Sequence, residues 1–184
     1  MDLNHDQMVA MNVLYVGALP ARIFDALNRA ILCQASAVIG MDRFIRERVL
    51  RKLDVAGKVH AMPPWPHQDQ LENVAHADNE FRRQHVADVR FAVMYSGNHS
   101  PANPLSTLLD AAERMQCDPR LLVMCIGAGG GKKDVDDCVA RGGVNTRSMP
   151  CQHFGRIRFS LSAADVHVVS IADEVVGFLH PCKV

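Results

Sequence analysis

This sequence predicts an α/β fold built on a parallel sheet, and three features carry that prediction. Short apolar runs alternate with segments whose apolar residues recur at helical spacing. The runs "RFAVMYSGN" and "RLLVMCIGAGGGK" read as buried strands, apolar almost throughout. Each then passes through a short glycine turn into the next helical segment, the pattern of strands joined by helices lying on the faces of a sheet.

Taken in order, the first twenty residues are weakly patterned and stay unassigned. "ARIFDALNRAILCQAS" puts Ile23, Phe24, Leu27, Ala30 and Ile31 on one face, which predicts a helix buried along that stripe. "AVIG" suits a short buried strand. "MDRFIRERVLRKLD" sets Phe44, Ile45, Val49 and Leu53 against a basic face, and "KVHAM" reads as a second short strand. From Pro63 to Asp88 three closely spaced prolines and a polar stretch without a clean period predict a linker.

Beyond it the strand "RFAVMYSGN" leads into "SPANPLSTLLDAAERMQ". There Asn103 is the expected cap, Pro104 suits the first turn, and Leu105, Leu108, Leu109, Ala112 and Met115 form the expected buried stripe. "KKDVDDCVARGG" continues as a helix with Val135, Cys138 and Val139 inward, stopped by two glycines. "VNTRSMP" is a third, more polar strand. "HFGRIRFSLSAAD" is a helix with Ile157, Leu161 and Ala164 in register, and "VHVVSI" is the fourth strand.

Composition narrows the function classes. In 184 residues, 48% hydrophobic and 22% charged, the chain is globular rather than disordered. Twenty basic side chains balance twenty acidic ones, so no charge surplus argues for nucleic acid as a partner. The cysteines at 33, 117, 125, 138, 151 and 182 form no C-x-x-C pair. Cys33, Cys125 and Cys138 fall at apolar positions and read as small hydrophobes in a reducing cytoplasm. No signal peptide opens the sequence and no apolar run reaches the roughly 18 residues of a spanning helix, so a soluble protein is expected, with peripheral attachment to a membrane left open. The histidines lack metal spacing and no G-x-S-x-G elbow is present, so no metal site and no serine hydrolase is expected.

Ligands of open parallel sheets bind beyond the carboxyl ends of the strands, which directs attention to three turns. "SGNHS" offers Gly97 for close backbone approach and Asn98 and His99 as polar groups beside a helix start; it also reads as a plain turn. "GAGGGKK", with Gly129 at its middle, fits neither G-x-G-x-x-G nor the P-loop spacing and is a generic flexible turn near a ligand. In "ADEVVGFLHPCKV", Glu174 suits sugar or ribose hydroxyls and Lys183 a phosphate, against the alternative of an exposed loop with ordinary charges. His153 and His180 lie near strand ends as further candidates, while His167 reads as structural. A dinucleotide-dependent oxidoreductase would need a glycine fingerprint after the first strand, and "SGNHSP" does not supply it.

Three stretches in this order, "FAVMYSGNHSPANPLSTLLDAAERM", "LLVMCIGAGGGKKDV" and "LSAADVHVVSIADEVVGFLHPCK", resemble glycosyltransferase family 4, in particular bacterial enzymes that build surface polysaccharides. "DRFIRERVLRKLDVAGKVHAMPPWPHQD" resembles the end of the acceptor domain and the interdomain linker of the same proteins. The resemblance implies a GT-B architecture: residues 1–62 the end of an acceptor domain, 63–88 the linker, and 89–184 an incomplete Rossmann-like nucleotide-sugar-binding domain. It implies transfer of a hexose or N-acetylamino sugar from a UDP- or GDP-linked donor to a glycan or lipid-linked acceptor. The donor is a substrate, and no cofactor is implied. By the same resemblance Gly97 and Asn98 approach the donor diphosphate, while His99 and Gly129 join the donor-binding candidates on their residue types and turns alone. Met149, Pro150, Cys151 and Gln152 cradle the nucleobase, Glu174 meets the sugar or ribose with Gly177 in its loop, and Lys183 meets phosphate. Catalytic residues are not assigned.

Two departures from the family pattern stand out. Where a second glutamate is usual, Cys182 stands, and "SGNHSPANP" lacks the arginine and lysine many relatives carry there. Relatives also extend on both sides of the matched stretches. The expectation is therefore an internal piece of a transferase, with the "VHVVSI" strand an open edge that invites self-association. A non-catalytic binding fragment of a split enzyme is the alternative.

Overall fold

A computed structural model describes residues 4–15, 17–63, 72–86, 91–142 and 145–180. They fall into two compact units. One holds the chain up to Pro63 together with Ile171–His180, and the other holds Glu72–Ser170.

The first unit begins with helix α1 (Asn4–Ala10), in the stretch left unassigned from sequence, and helix α2 (Leu19–Gln34). Strand β1 (Val38–Gly40), helix α3 (Arg43–Lys52) and strand β2 (Val59–Ala61) follow, and β1 and β2 pair in parallel. Asp42 caps α3, its Oδ1 accepting from the Ile45 amide at 2.8 Å. Leu32, Val38, Val49, Val55 and Val59 form the core, and Phe178 packs against it.

Helix α2 exists as expected but faces the other way. Ala21, Asn28 and Leu32 are its buried residues, while Ile23, Phe24, Leu27 and Ile31 are each at least half exposed. Small Ala21 and the Leu32 side chain meet the core, and the larger apolar stripe is turned outward. Cys33, expected inside, is also exposed.

In the second unit the segment read as linker holds structure. A 3-10 turn (His76–Asp78) precedes helix α4 (Glu80–His85), capped by Asn79, with Phe81 only 1% exposed. Five polar residues around one phenylalanine leave no apolar period to read in so short a helix. Residues 64–71 and 87–88 of that segment lie outside the described residues.

Strand β3 (Phe91–Asn98), helix α5 (Ser106–Arg114), strand β4 (Leu121–Ala128), helix α6 (Lys132–Ala140) and strand β5 (Thr146–Met149) then alternate as expected. Helix α7 (Ile157–Leu161) is shorter than its sequence pattern, and strand β6 keeps only Val166–His167 of "VHVVSI". The sheet order is β5-β4-β3-β6, parallel throughout, so among the described residues β6 is an edge. Just past it the Val168 amide still donates to Met94 O of β3 at 2.8 Å, and the Ser170 side chain donates from Oγ to Pro104 O.

Alternation along the two central strands builds two apolar layers. Ala92, Met94, Leu122, Met124 and Ile126 face Phe81, Val86 and Ala163. Tyr95, Val123 and Cys125 face Leu105 at the cap of α5, Leu109 and Ala112 within it, and Val135 and Cys138 of α6. Burial on both faces explains why these strands read as continuous apolar runs. It also pushes the Cys125 thiol up to about 12.

Asn103 does not cap α5. Leu105 holds that position without a side-chain bond, and Asn103 instead donates to Ser170 O at 2.8 Å while accepting from Ser100 Oγ at 3.0 Å. Met115 ends the predicted stripe 45% exposed. His167, read as structural, is exposed, with Nε2 3.0 Å from Leu161 O.

Candidate functional site

The carboxyl ends of β3 and β4 lie side by side, with Gly97 opposite Gly127 and Asn98 opposite Ala128. Their turns interlock. The His99 amide donates to Ala128 O at 2.8 Å, and the Gly131 amide returns a bond to His99 O at 2.9 Å. Gly127 (φ 149°) and Gly129 (φ 136°) adopt backbone conformations that side chains rarely accept. A Cβ at Gly127 would overlap Gly97 O, and one at Gly129 would overlap His99 O and Asn98 Oδ1. Glycine is therefore required here by close approach of two backbones, a physical reason that the spacing of "GAGGGKK" does not reveal. Tyr95 OH closes the first turn by donating to Asn98 O at 2.7 Å.

His99 sits differently from its expected role. It is 1% exposed, its ring lies 5.4 Å from that of Tyr95, and among the described residues neither ring nitrogen has a hydrogen-bond partner. Burial, and then Lys132, lower its pKa from 6.5 against the opposing pull of Asp136, so the neutral ring is favoured. Asn98 beside it is exposed.

The loop of Met149, Pro150, Cys151 and Gln152 follows β5. Lys132, first residue of α6, donates from Nζ to Met149 O at 2.7 Å and ties that loop to the glycine turn. Lys132 was missed from sequence, although its place directly behind three glycines at a helix start was the available signal. Pro150 and Cys151 are exposed, and Gln152 donates back to Pro150 O at 2.9 Å. Gly97, Asn98, His99, Gly129 and the Met149–Gln152 loop are thus gathered at one end of one sheet.

A cavity of 620 Å³ opens between α5 and α6, lined by His99, Ser100, Ser106, Asp110, Asp134 and Arg141 among others. Of the described residues singled out from sequence as candidate site residues, only His99 lines it. Among the described residues, no three His, Cys, Asp or Glu side chains form a group able to hold a metal ion.

Glu174 and Gly177 fall in the first unit, on the segment Ile171–His180. Glu174 is exposed within a 3-10 turn (Asp173–Val175), and Gly177 is buried with φ 80°. His180 Nδ1 lies 2.9 Å from Asp42 Oδ2. His153 is exposed, its Nδ1 accepting from the Gly155 amide. Lys183 lies outside the described residues.

The fold resembles part of the fold of solved GT-B proteins. HepE of Anabaena, a structure solved with UDP and glucose, aligns with a TM-score of 0.65 at 17% identity over 82% of this chain and 41% of its own. Sucrose-phosphate synthase of Thermosynechococcus elongatus aligns with a TM-score of 0.63 at 20% identity over 90% of this chain and 42% of its own. In sequence, the chain is 26% identical over 156 residues to WcaI of Escherichia coli K12, named for glycosyl transfer in colanic acid biosynthesis. That match spans 83% of this chain and 38% of WcaI. No family model matches. The chain is thus similar to a protein named for glycosyl transfer, and it spans about two-fifths of the length of each of these three proteins. No helix among the described residues is long and apolar enough to cross a membrane.

Proposed function

We propose that this chain supplies the donor side of a glycosyltransferase, moving a hexose or N-acetylamino sugar from a nucleotide diphosphate to a hydroxyl of a glycan or lipid-linked acceptor. The observation that carries the reading is the interlocked pair of turns at the ends of β3 and β4, with Lys132 tying the Met149–Gln152 loop to them. Backbone amides and a helix start at such a place stabilise charge on a departing diphosphate. In the transfer, the acceptor oxygen bonds to the anomeric carbon as the bond to the diphosphate oxygen breaks, and the acceptor proton leaves to a base. Gly97, Asn98 and Gly129 serve the diphosphate, and Met149, Pro150, Cys151 and Gln152 the nucleobase. Glu174 serves the sugar or ribose and Lys183 the phosphate.

UDP is the favoured nucleotide, because HepE is known with UDP and with UDP-glucose. The proposed setting is the cytoplasmic face of a membrane that presents the acceptor, with the short β6 edge as a place for self-association.

Calorimetric titration of the folded chain with UDP and GDP tests this. Saturable binding of UDP, weakened about tenfold by Lys183→Ala, is the expected outcome, and with UDP-glucose as titrant a comparable weakening by Glu174→Ala. A folded chain that binds neither nucleotide would end the donor reading and leave a partner-binding module.

A further inference from the structure

The loop that carries Glu174 is fastened to α3 by one side chain acting in three ways. Arg48 Nε donates to Val176 O at 2.7 Å, and its terminal nitrogen reaches Glu174 O at 3.4 Å. The guanidinium carbon lies 3.7 Å above the centre of the Phe178 ring. Between these points Gly177 takes φ 80°, where an added Cβ would sit 2.9 Å from both Arg48 Nε and Phe44 O. The backbone thus lies directly on the arginine, and only glycine fits.

We propose that Arg48 is a positioning residue for Glu174, fixing the backbone from which its carboxylate projects. The proposal rests on Glu174 as a donor-sugar contact. A planar guanidinium donates in its plane to two carbonyls while its face covers an aromatic ring, and a lysine ammonium cannot do both. Val175 is fully buried beside it, whereas Glu174 is exposed. The arrangement is therefore a rigid backbone presenting a free carboxylate, the condition under which one side chain discriminates between ligands without first being ordered. The turn depends on local bonds that loosen if Arg48 is lost: Phe178 N donates to Val175 O at 3.0 Å and Leu179 N to the same oxygen at 3.3 Å.

Two readouts on the same proteins decide the matter: amide hydrogen exchange at Phe178 and Leu179 without nucleotide, and the ratio of UDP-glucose to UDP affinity. In Arg48→Ala the two amides exchange about tenfold faster or more, and the affinity ratio falls toward one. Arg48→Lys restores neither, and Phe178→Leu, which keeps the arginine, gives an intermediate result in both.

Unchanged amide protection in Arg48→Ala overturns the anchoring. Freed amides with an intact affinity ratio overturn the link to the sugar. A wild-type chain that binds neither nucleotide removes the donor reading and the sugar link with it, and the exchange measurement still decides whether Arg48 holds the loop. Should Arg48→Ala fail to fold, Arg48→Lys carries both measurements.

Discussion

His99 holds a neutral ring where neither nitrogen finds a partner, and a buried polar group in that state costs about 1–3 kcal/mol. Replacing it with an apolar side chain of similar size removes that cost, so His99→Leu is expected within about 1 kcal/mol of wild type. His99→Ala leaves a cavity beneath the glycine turn and is expected to lose about 2 kcal/mol or more. Urea unfolding of the two variants separates these outcomes. The pH dependence has a definite sign. In the unfolded chain this histidine takes up a proton near 6.5, while in the folded chain its pKa is lowered. The unfolded state then binds more protons in that window, so stability is full above 6.5 and declines as pH falls below it. The decline is expected in wild type and is smaller in His99→Leu. From sequence, His99 is a polar group beside a turn. Its main chain is held by Ala128 and Gly131, at the end of the next strand and in the turn behind it, a contact between distant residues that no local pattern encodes.

At the scale of elements, the interlocked turns make a sharp prediction. Gly127→Ala places a methyl against Gly97 O at a backbone angle alanine resists, so the two turns must part. A loss of at least about 2 kcal/mol in thermal or urea unfolding is expected, whereas Gly130→Ala, which meets open space, is expected to be near neutral. The strands and helices of the β3-to-β5 stretch were legible because both faces are buried and the helical periods are long. Helix α2 was legible in its existence and not in its orientation. Amphipathic spacing identifies a stripe, but which side meets the core depends on what the rest of the unit offers. Here Ile23, Phe24, Leu27 and Ile31 face outward at 51–54% exposure. Such a stripe attracts apolar probes. Leu27→Lys is therefore expected to lower the fluorescence of a bound apolar dye with little change in the unfolding midpoint, and an unchanged signal would show that the stripe is covered in solution.

For the whole molecule, sequence and structure agree on a parallel α/β sheet and part on where the Glu174 segment belongs. Read along the chain, Ile171–His180 follows the last strand and continues its domain. Its contacts instead lie with α3, through Arg48, Phe178 and the Asp42–His180 pair. Those partners are more than 120 positions apart, and only the folded chain brings them together. The same separation governs the order of events during synthesis. Helix α3 emerges early, with Asp42 already able to cap its first turn. Its other partners arrive only after an entire sheet has been translated, and bringing such distant points together carries a loop-closure penalty and a delay. The first unit is thus held by a clasp that shuts only after the sheet of the second unit has already had time to form.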